Sequence, residues 1–266
     1  MKVIISHDVD HLYNTDHCRD LYFPKLWFRS SMDLVRHKLT TKEWALQMAI
    51  PFKRKMHNLE ELMQLDAEYG IPSTFFFGMA SGLGMSYRQK TALPLIRQVQ
   101  KRDFAVGVHG IAYSDYKMMK KEYDDFAALI GTKDFGIRIH YVRYDDSTFE
   151  KLSDIGYSFD TSEFDKAIGF TLKSPYKIGD MWEFPLNLMD SYLPYDFEKA
   201  KEMTLKILQE AEQIKLPYLT ALFHDNHFSE NFGQYYKWYQ WLLDYLKNKA
   251  HEFISFKQAI QLLEKR

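Results

Sequence analysis

The first apolar run of the chain, residues 3–6, is followed by two aspartates. Side chains two positions apart on an extended chain point the same way, so Asp8 and Asp10 are expected to face one pocket while Val9 points elsewhere. Two carboxylates this close cannot both ionise at low free-energy cost without a cation, and a divalent metal or an arginine would supply it. An Asp-x-Asp alone is common in loops, but here it predicts an acidic pocket that recruits a positive charge.

Three later apolar runs also end on residues that can do acid–base or metal chemistry. His109 follows the run at 104–108, Arg138-Ile139-His140-Tyr141-Val142-Arg143 closes the next, and His224-Asp225-Asn226-His227 closes the last strong one. A single histidine of this kind is more often a hydrogen-bonded structural residue than a ligand. Asp, His, Arg and His at four strand ends together predict a shared site, because active sites of parallel βα folds lie at the C-terminal ends of the strands.

Short apolar strands alternate with amphipathic helices, which is the pattern of parallel βα units. Strands this apolar are buried on both faces, as in a parallel barrel or a doubly wound sheet. The helix that starts at Asn58 has capping-box spacing to Glu61 and a stop at Gly70. Strands are predicted at 3–6, 73–77, 104–108, 135–139, 157–159, 182–184 and 219–223, with an eighth possible at 253–254, and further helices at 90–102, 115–130, 197–215 and 232–249.

Residues 11–57 do not follow this alternation, since aromatic and basic side chains are mixed there. The segment could form a lid or a substrate wall, and a helical excursion packed over the mouth of the barrel is the alternative. No repeat, low-complexity tract or Pro/Gly-rich linker divides the chain. We therefore expect a single domain, 1–266, with an insertion at about 11–57.

The charges are nearly balanced, with 35 Lys and Arg against 36 Asp and Glu and a formal net charge of -1. This balance gives no electrostatic reason to expect nucleic acid or an anionic membrane as partner, so any specificity must be local. The chain has neither a run of the roughly 20 apolar residues that a membrane span requires nor a three-part signal peptide. We expect a cytoplasmic protein, although a chain trimmed of its leader would look the same, and the sequence predicts no oligomeric state.

Segments along most of the chain, in the same order, resemble the polysaccharide deacetylases of the NodB-homology type, also called carbohydrate esterase family 4. Asp8 and Asp10 resemble the first motif of that family, and His109 stands where its histidine motif begins. The remaining matches are Ser-Thr-Phe-Phe-Phe at 73–77 with the Thr-Phe-Phe strand, Arg138 to Tyr141 with Arg-Pro-Pro-Tyr, Gly-Tyr-Ser-Phe-Asp-Thr-Ser at 156–162 with Gly-Tyr-x-x-Asp-Thr-Ser, and Leu222-Phe223-His224 with Leu-x-His.

The resemblance implies a distorted (β/α) barrel of seven or eight strands that removes an acetyl group from an N-acetylated sugar. It also implies a divalent metal, with Zn²⁺ as the first expectation and Co²⁺ or Ni²⁺ as alternatives. On this pattern Asp8 is the general base, Arg138 keeps Asp8 ionised, Asp10 and His109 are metal ligands, and His224 is the general acid. Asp190 is a candidate to orient His224. Candidate substrate contacts are Tyr141, whose backbone N–H would face the oxyanion, Arg143 and His227.

The chain departs from the family at the second histidine of the histidine motif, where Tyr113 stands. A catalytic zinc usually keeps three protein ligands, so a donor besides Asp10 and His109 is needed. His140, which stands where the family has a proline, is the first candidate because imidazole suits zinc. The alternatives are His11, His227 and Tyr113 itself.

Together these residues predict a hydrolase of non-peptide carbon–nitrogen bonds that acts on a saccharide or a sugar-linked precursor. Cell-surface polysaccharide or O-antigen assembly is one possible setting, and His140 with Arg143 suggests a pocket remodelled for an anionic or unusual sugar. Two alternatives stay open, a degenerate barrel that binds glycan and another C–N amide hydrolase on the same scaffold. The joint presence of Asp8 and His224 favours catalysis.

Overall fold

The computed structural model describes residues 1–265. Its ten strands are β1 Lys2–Val9, β2 Thr74–Gly78, β3 Ala105–Gly110, β4 Ile137–Ile139, β5 Phe159–Asp160, β6 Tyr176–Ile178, β7 Met181–Glu183, β8 Leu188–Met189, β9 Tyr218–Leu222 and β10 Glu252–Phe253. The α-helices in the same part of the chain are α1 Tyr22–Val35, α2 Thr41–Met48, α3 Leu59–Tyr69, α4 Gln89–Lys101, α5 Tyr116–Ile130, α6 Thr148–Ile155, α7 Phe197–Gln213, α8 Gly233–Asn248 and α9 Phe256–Leu263.

All ten strands belong to one curled sheet in the order β6-β7-β5-β4-β3-β2-β1-β9-β8, and β10 pairs with the start of β1. Every pairing is parallel except that of β6 with β7. Apolar residues of β1, β2, β3 and β9 are buried on both faces, as a parallel sheet covered by helices requires. The predicted α/β class, with a curled and mainly parallel sheet covered by helices, is confirmed.

Differences from the predicted elements lie mainly in short strands and helices. The sequence did not predict β6, which is largely exposed and antiparallel, or β8, which has only two residues. It also left out α6 and α9, each of eight residues.

The capping box predicted at Asn58 is wrong, although the helix does begin there and end at Gly70 with φ +68°. The Asn58 side chain makes no cap hydrogen bond. Its Nδ2 instead donates to the carbonyl oxygen of Asp225 at 3.1 Å, and its backbone N–H donates to the Asp225 carboxylate at 3.2 Å. This residue therefore ties the start of α3 to the loop after β9.

The segment 11–57 forms α1, α2 and 3-10 turns at Asn14–His17 and Ile50–Phe52. An antiparallel bridge between Tyr13 and Lys55 closes its base. The segment is thus a helical excursion from the sheet that begins and ends beside the C-terminal end of β1. In the described chain, no helix combines the length and apolar character that crossing a bilayer requires.

Candidate metal centre and catalytic site

Asp8 lies near the C-terminal end of β1, where residues Ser6 to Val9 pair with Thr74 to Phe77 of β2. The side chain is almost fully buried, with 2% exposure. Asp10 is the first residue after the strand, and its side chain is partly buried. Their alternation along β1 brings both carboxylates to the same end of the sheet, as the sequence predicted for a strand-end pair.

The guanidinium of Arg138, from β4, is completely buried beneath this end of the sheet. Its Nη1 donates to Oδ1 of Asp8 at 2.9 Å, Nη2 donates to Oγ of Ser6 at 2.7 Å, and Nε donates to the carbonyl oxygen of Thr161 at 3.2 Å. The group also lies 4.6 Å above the ring of Phe76. A buried arginine with this many fixed partners holds the Asp8 carboxylate in one orientation through a charge-assisted hydrogen bond.

Three potential metal donors meet beside Asp8, namely Oδ1 of Asp10, Nε2 of His109 and Nδ1 of His140. His109 Nε2 lies 3.2 Å from Asp10 Oδ1, and His140 Nδ1 lies 3.5 Å from the same oxygen. The two ring nitrogens are 2.9 Å apart. These residues come from the ends of β1, β3 and β4, which are separate βα units of the chain.

The hydrogen bonds on the far side of each imidazole determine which nitrogen carries the proton. Nδ1 of His109 lies 3.0 Å from the carbonyl oxygen of Arg138, and Nε2 of His140 lies 3.3 Å from the carbonyl oxygen of Leu83. Because a carbonyl only accepts, these nitrogens carry N–H groups when the rings are neutral. Nε2 of His109 and Nδ1 of His140 then each carry a lone pair, and both lone pairs face one another and the carboxylate oxygen Oδ1 of Asp10.

Such a cluster needs a cation, and its chemistry and spacing fit a divalent metal. Oδ1 of Asp10 is buried without a hydrogen-bond partner within the described chain. Donors around a tetrahedral ion at roughly 2.0–2.1 Å are about 3.3 Å apart, close to the separations of 2.9, 3.2 and 3.5 Å seen here. Backbone carbonyls that orient the ligating imidazoles are also typical of zinc sites. Asp10, His109 and His140 therefore fit the metal that the sequence resemblance implies.

Burial and charge act differently on the pKa values of the three donors. Burial would raise the pKa of Asp10, but its close contact with His109 and the charges that His140, His109 and His224 can carry hold that pKa well below its usual value. Burial lowers the pKa of His140 to about 4 despite the Asp10 charge, so this imidazole is neutral at pH 7. Burial opposes a charge on His109, yet Asp8 and Asp10 together raise the pKa of His109. Among the three, His109 is the one that takes up a proton when no metal competes.

The turn after β4 aims His140 at the cluster. Tyr141 and Val142 have φ values of +60° and +43°, a left-handed conformation that non-glycine residues seldom adopt. Arg143 stabilises this turn, because Nε donates to the carbonyl of His140 at 3.1 Å and Nη2 to that of Ile111 at 2.7 Å. Strained backbone of this kind is concentrated at functional sites.

Arg143 and Tyr141 were predicted as substrate contacts, but polar groups of both side chains already form hydrogen bonds to backbone carbonyls of the chain. The Arg143 guanidinium also lies 5.0 Å above the ring of Tyr113. Tyr141 is 59% exposed, and its hydroxyl donates to the carbonyl of Leu83 at 3.0 Å. A cleft of about 740 Å³ adjoins them, lined by Tyr113, Val142, Arg143 and part of the stretch 163–173.

A second acid–base group lies at the end of β9. Asp190 is fully buried and accepts from the backbone N–H of His224 at 2.9 Å, from Nδ1 of His224 at 2.6 Å and from Nδ1 of His227 at 2.8 Å. Because both imidazoles donate to this carboxylate, the group is satisfied without a metal ion. Nε2 of His224 lies 4.0 Å from Oδ2 of Asp10, so His224 borders the metal-donor cluster.

Asp190 favours the protonated form of His224. Burial opposes a charge on His224, but the Asp190 carboxylate raises the pKa of His224 to about 10. The same interactions hold the pKa of Asp190 well below its usual value against the effect of burial. His227 shares this carboxylate and stacks on Tyr235 with the ring centroids 4.6 Å apart. The predicted substrate contact and alternative ligand His227 therefore lies with Asp190, not with the three donors around Asp10.

Sequence reasoning missed a buried chain of polar groups beside the pocket. Nδ1 of His11 lies 3.1 Å from Nε2 of His17, whose Nδ1 lies 2.8 Å from Oδ2 of Asp20. Burial lowers the pKa of His11 to about 3, against the charge of Asp10. His11 was an alternative third ligand, but it is not among the three donors that meet. His17 and Asp20 are three residues apart, a helical spacing, whereas the six residues between His11 and His17 match neither the strand period nor the helix period, so nothing in the sequence indicated that contact.

Comparison with solved structures identifies the fold. A Mycobacterium smegmatis protein assigned as a polysaccharide deacetylase matches with a TM-score of 0.61 at 14% identity, over 97% of this chain and 88% of that one. A Bordetella bronchiseptica protein assigned as a polysaccharide deacetylase involved in O-antigen biosynthesis matches at 0.45 and 12%, over 90% and 78%. A mutant of a CE4 family pseudoenzyme with restored enzymatic activity matches at 0.49 and 10%, over 97% and 66%.

The first of these likenesses shows that the chain has the polysaccharide deacetylase fold, and the other two are too distant to carry an argument. No protein-family model and no curated protein matches the sequence.

Proposed function

We propose that this protein is a metal-dependent hydrolase that removes N-acetyl groups from a saccharide or a sugar-linked precursor. The observation that carries the proposal is the meeting of three lone pairs from Asp10, His109 and His140 beside the Arg138-bound carboxylate of Asp8. A deacetylase needs a metal site, a base and an acid at one pocket. Here Asp8 would be the base, and His224, held by Asp190, would be the acid.

Asp10, His109 and His140 would hold the metal, with Zn²⁺ as our first choice because its donors are imidazole and carboxylate. Bound there, a divalent ion would polarise the amide carbonyl and lower the pKa of a water molecule towards neutrality. Tyr113 has no part in this ligand set. His140 would replace the second histidine of the family motif.

Asp8 is suited to take the proton of the attacking water. Its Oδ1 is bound to Arg138, while Oδ2 lies 3.7 Å from Nε2 of His109 and faces the donor cluster. As the water oxygen bonds to the carbonyl carbon, the backbone N–H of Tyr141 is our candidate to stabilise the oxyanion. His224, protonated at neutral pH and held by Asp190, would give its proton to the amine nitrogen as the C–N bond breaks. The products are acetate and a free amino sugar.

Metal binding is the first test. Metal-free protein titrated with Zn²⁺, Co²⁺ and Ni²⁺ should bind close to one ion per chain, and failure to bind any of them would remove the proposed mechanism. Metal-loaded protein should then release acetate from N-acetylglucosamine oligomers.

The role of Asp8 is tested with Asp8→Asn and the matched control Asp146→Asn, at an exposed position outside the site. We expect Asp8→Asn to lower kcat by about 10²–10⁴-fold, the usual contribution of a general base, with the control unchanged. Activity that survives Asp8→Asn would exclude Asp8 as the base. Metal binding without acetate release from any N-acetylated saccharide would instead indicate a glycan-binding protein.

A further inference from the structure

The charge of the chain is divided unevenly between the helical excursion and the rest. Residues 11–57 contain nine Lys and Arg against four Asp and Glu, a formal net charge of +5. The remaining residues contain 26 against 32, a net charge of -6. The overall value of -1 therefore conceals a strongly basic segment on an acidic body.

Within this basic segment, α1 exposes large apolar side chains along one face. Leu21, which precedes the first turn, Phe28 and Val35 follow one another at intervals of seven residues, so they lie on the same side of the helix. They are 65%, 72% and 72% exposed. Lys25 and Arg36 lie among them and are exposed as well. We refer to these five residues as the α1 outer face.

The opposite side of α1 is packed on α2. Oγ of Ser30 donates to Oε1 of Gln47 at 2.5 Å, and Nε1 of Trp44 donates to Oγ of Ser31 at 3.2 Å. Nε1 of Trp27 donates to the carbonyl of Met48, just before the turn Ile50–Phe52, where Phe52 is 82% exposed. The apolar residues of the α1 outer face are therefore not needed to hold the helix in place.

We propose that the α1 outer face docks on the surface of an anionic phospholipid bilayer. A helix with Phe, Leu and Val exposed between Lys and Arg is the arrangement of interfacial helices, whose apolar side chains enter the headgroup region while the cations bind anionic lipid. Large exposed apolar side chains that share one face of a helix also indicate an interaction surface. The net charge of +5 favours an anionic surface over a neutral or basic one, and the exposed apolar side chains of the face favour a lipid surface among anionic ones.

Docking through α1 would bring the pocket to the bilayer, because the start of this helix borders the site. The ring of Tyr22 lies 4.3 Å from that of His11 and 4.4 Å from that of His17. The docking does not depend on the proposed hydrolysis and can be measured without a substrate.

The test is co-sedimentation of the purified full chain with vesicles of phosphatidylcholine plus phosphatidylglycerol and with vesicles of phosphatidylcholine alone. The wild type should bind the anionic vesicles, and added salt should weaken the binding. Phe28→Ser with Val35→Ser should lower the partition coefficient at least about tenfold, since each removes a side chain that enters the apolar region. Lys25→Glu with Arg36→Glu should lower it similarly and remove the preference for anionic lipid.

Matched controls are Ile214→Ser, at a 56% exposed apolar position after α7, and Lys117→Glu, at an exposed position on α5. They should bind like the wild type, and thermal melts would confirm that every variant is folded. Equal loss in the controls, equal binding to neutral vesicles or no binding at all would overturn the proposal. So would sedimentation velocity showing a wild-type dimer that Phe28→Ser dissociates, because the face would then be an interface between two copies of this chain.

Discussion

His109 and Arg138 are paired opposite one another in β3 and β4, and Nδ1 of His109 lies 3.0 Å from the backbone carbonyl oxygen of Arg138. The guanidinium of the same arginine holds Asp8 at 2.9 Å. One residue thus orients a proposed metal ligand through its backbone and the proposed base through its side chain. The two functions can be separated, because a substitution at position 138 removes the side chain and keeps the carbonyl.

Arg138→Met should destabilise the fold by about 3–5 kcal/mol, because it leaves the buried carboxylate of Asp8 without its cation. The double variant Asp8→Asn/Arg138→Met removes both charges and should recover a substantial part of that loss. Urea unfolding of both variants and the wild type measures the difference. A double variant no more stable than Arg138→Met would show that the ion pair is not the cause.

His140→Ala should lower the affinity for Zn²⁺ by more than about 100-fold, a larger effect than loss of an outer-shell partner. The control Tyr113→Phe should leave the affinity unchanged, because Tyr113 contacts Arg143 and is not part of the donor cluster. Calorimetric titration of the metal-free proteins measures both affinities. Tight binding by His140→Ala would assign the third donor elsewhere, to His11 or His227.

Asp190→Asn should lower kcat by about 10²–10⁴-fold and change metal affinity little, since Asp190 orients and charges His224 without joining the donor cluster. His227→Gln is the control, because it removes the other histidine on the same carboxylate and leaves His224 in place. Steady-state acetate release gives kcat and KM for each variant. A change in KM alone would make Asp190 a substrate-binding residue.

Glu183→Gln should flatten the pH dependence of stability. Glu183 and Asp160 are opposed in β5 and β7 and fully buried, and burial together with the Asp160 charge raises the pKa of Glu183 well above 4.5. The unfolded chain therefore loses this proton at lower pH than the folded chain does, so the free energy of unfolding falls as pH rises from about 4.5 through the raised value.

Urea unfolding at a series of pH values from 5 to 8 would show this as a steeper decline for the wild type than for Glu183→Gln. Glu198→Gln, at an exposed position on α7, serves as the control and should decline like the wild type. Parallel curves for wild type and Glu183→Gln would mean that the Glu183 proton is not lost in this range.

The strands that carry the candidate site could be predicted because each is a buried apolar run that ends on a polar residue. This pattern identified β1, β3, β4 and β9, and with them Asp8, His109, Arg138 and His224. The sequence could not predict β6 or β8, since a largely exposed hairpin strand and a two-residue strand leave no apolar run.

The sequence could not predict the direction of the His140 side chain or the partners of His11, because both depend on backbone conformations that residue types do not indicate. His140 reaches the donor cluster through left-handed backbone at Tyr141 and Val142, and neither residue type signals that conformation. His17 ends the 3-10 turn Asn14–His17 and Asp20 lies in the bend after it, and no regular element connects this turn with His11. Ser6, in contrast, is two residues before Asp8 on the same strand, so the alternation of β1 could have suggested its place beside Arg138.

The origin of the three donors on β1, β3 and β4 decides when during folding a metal can be captured. Residues 10, 109 and 140 are far apart in an unfolded or newly synthesised chain, so high-affinity capture has to wait until the first four parallel strands have assembled. A metal that binds only this assembled state raises its stability in proportion to the logarithm of the free metal concentration. Uptake of the proposed metal during refolding would therefore report the completion of the first four strands, independently of when β9 and its histidine dock.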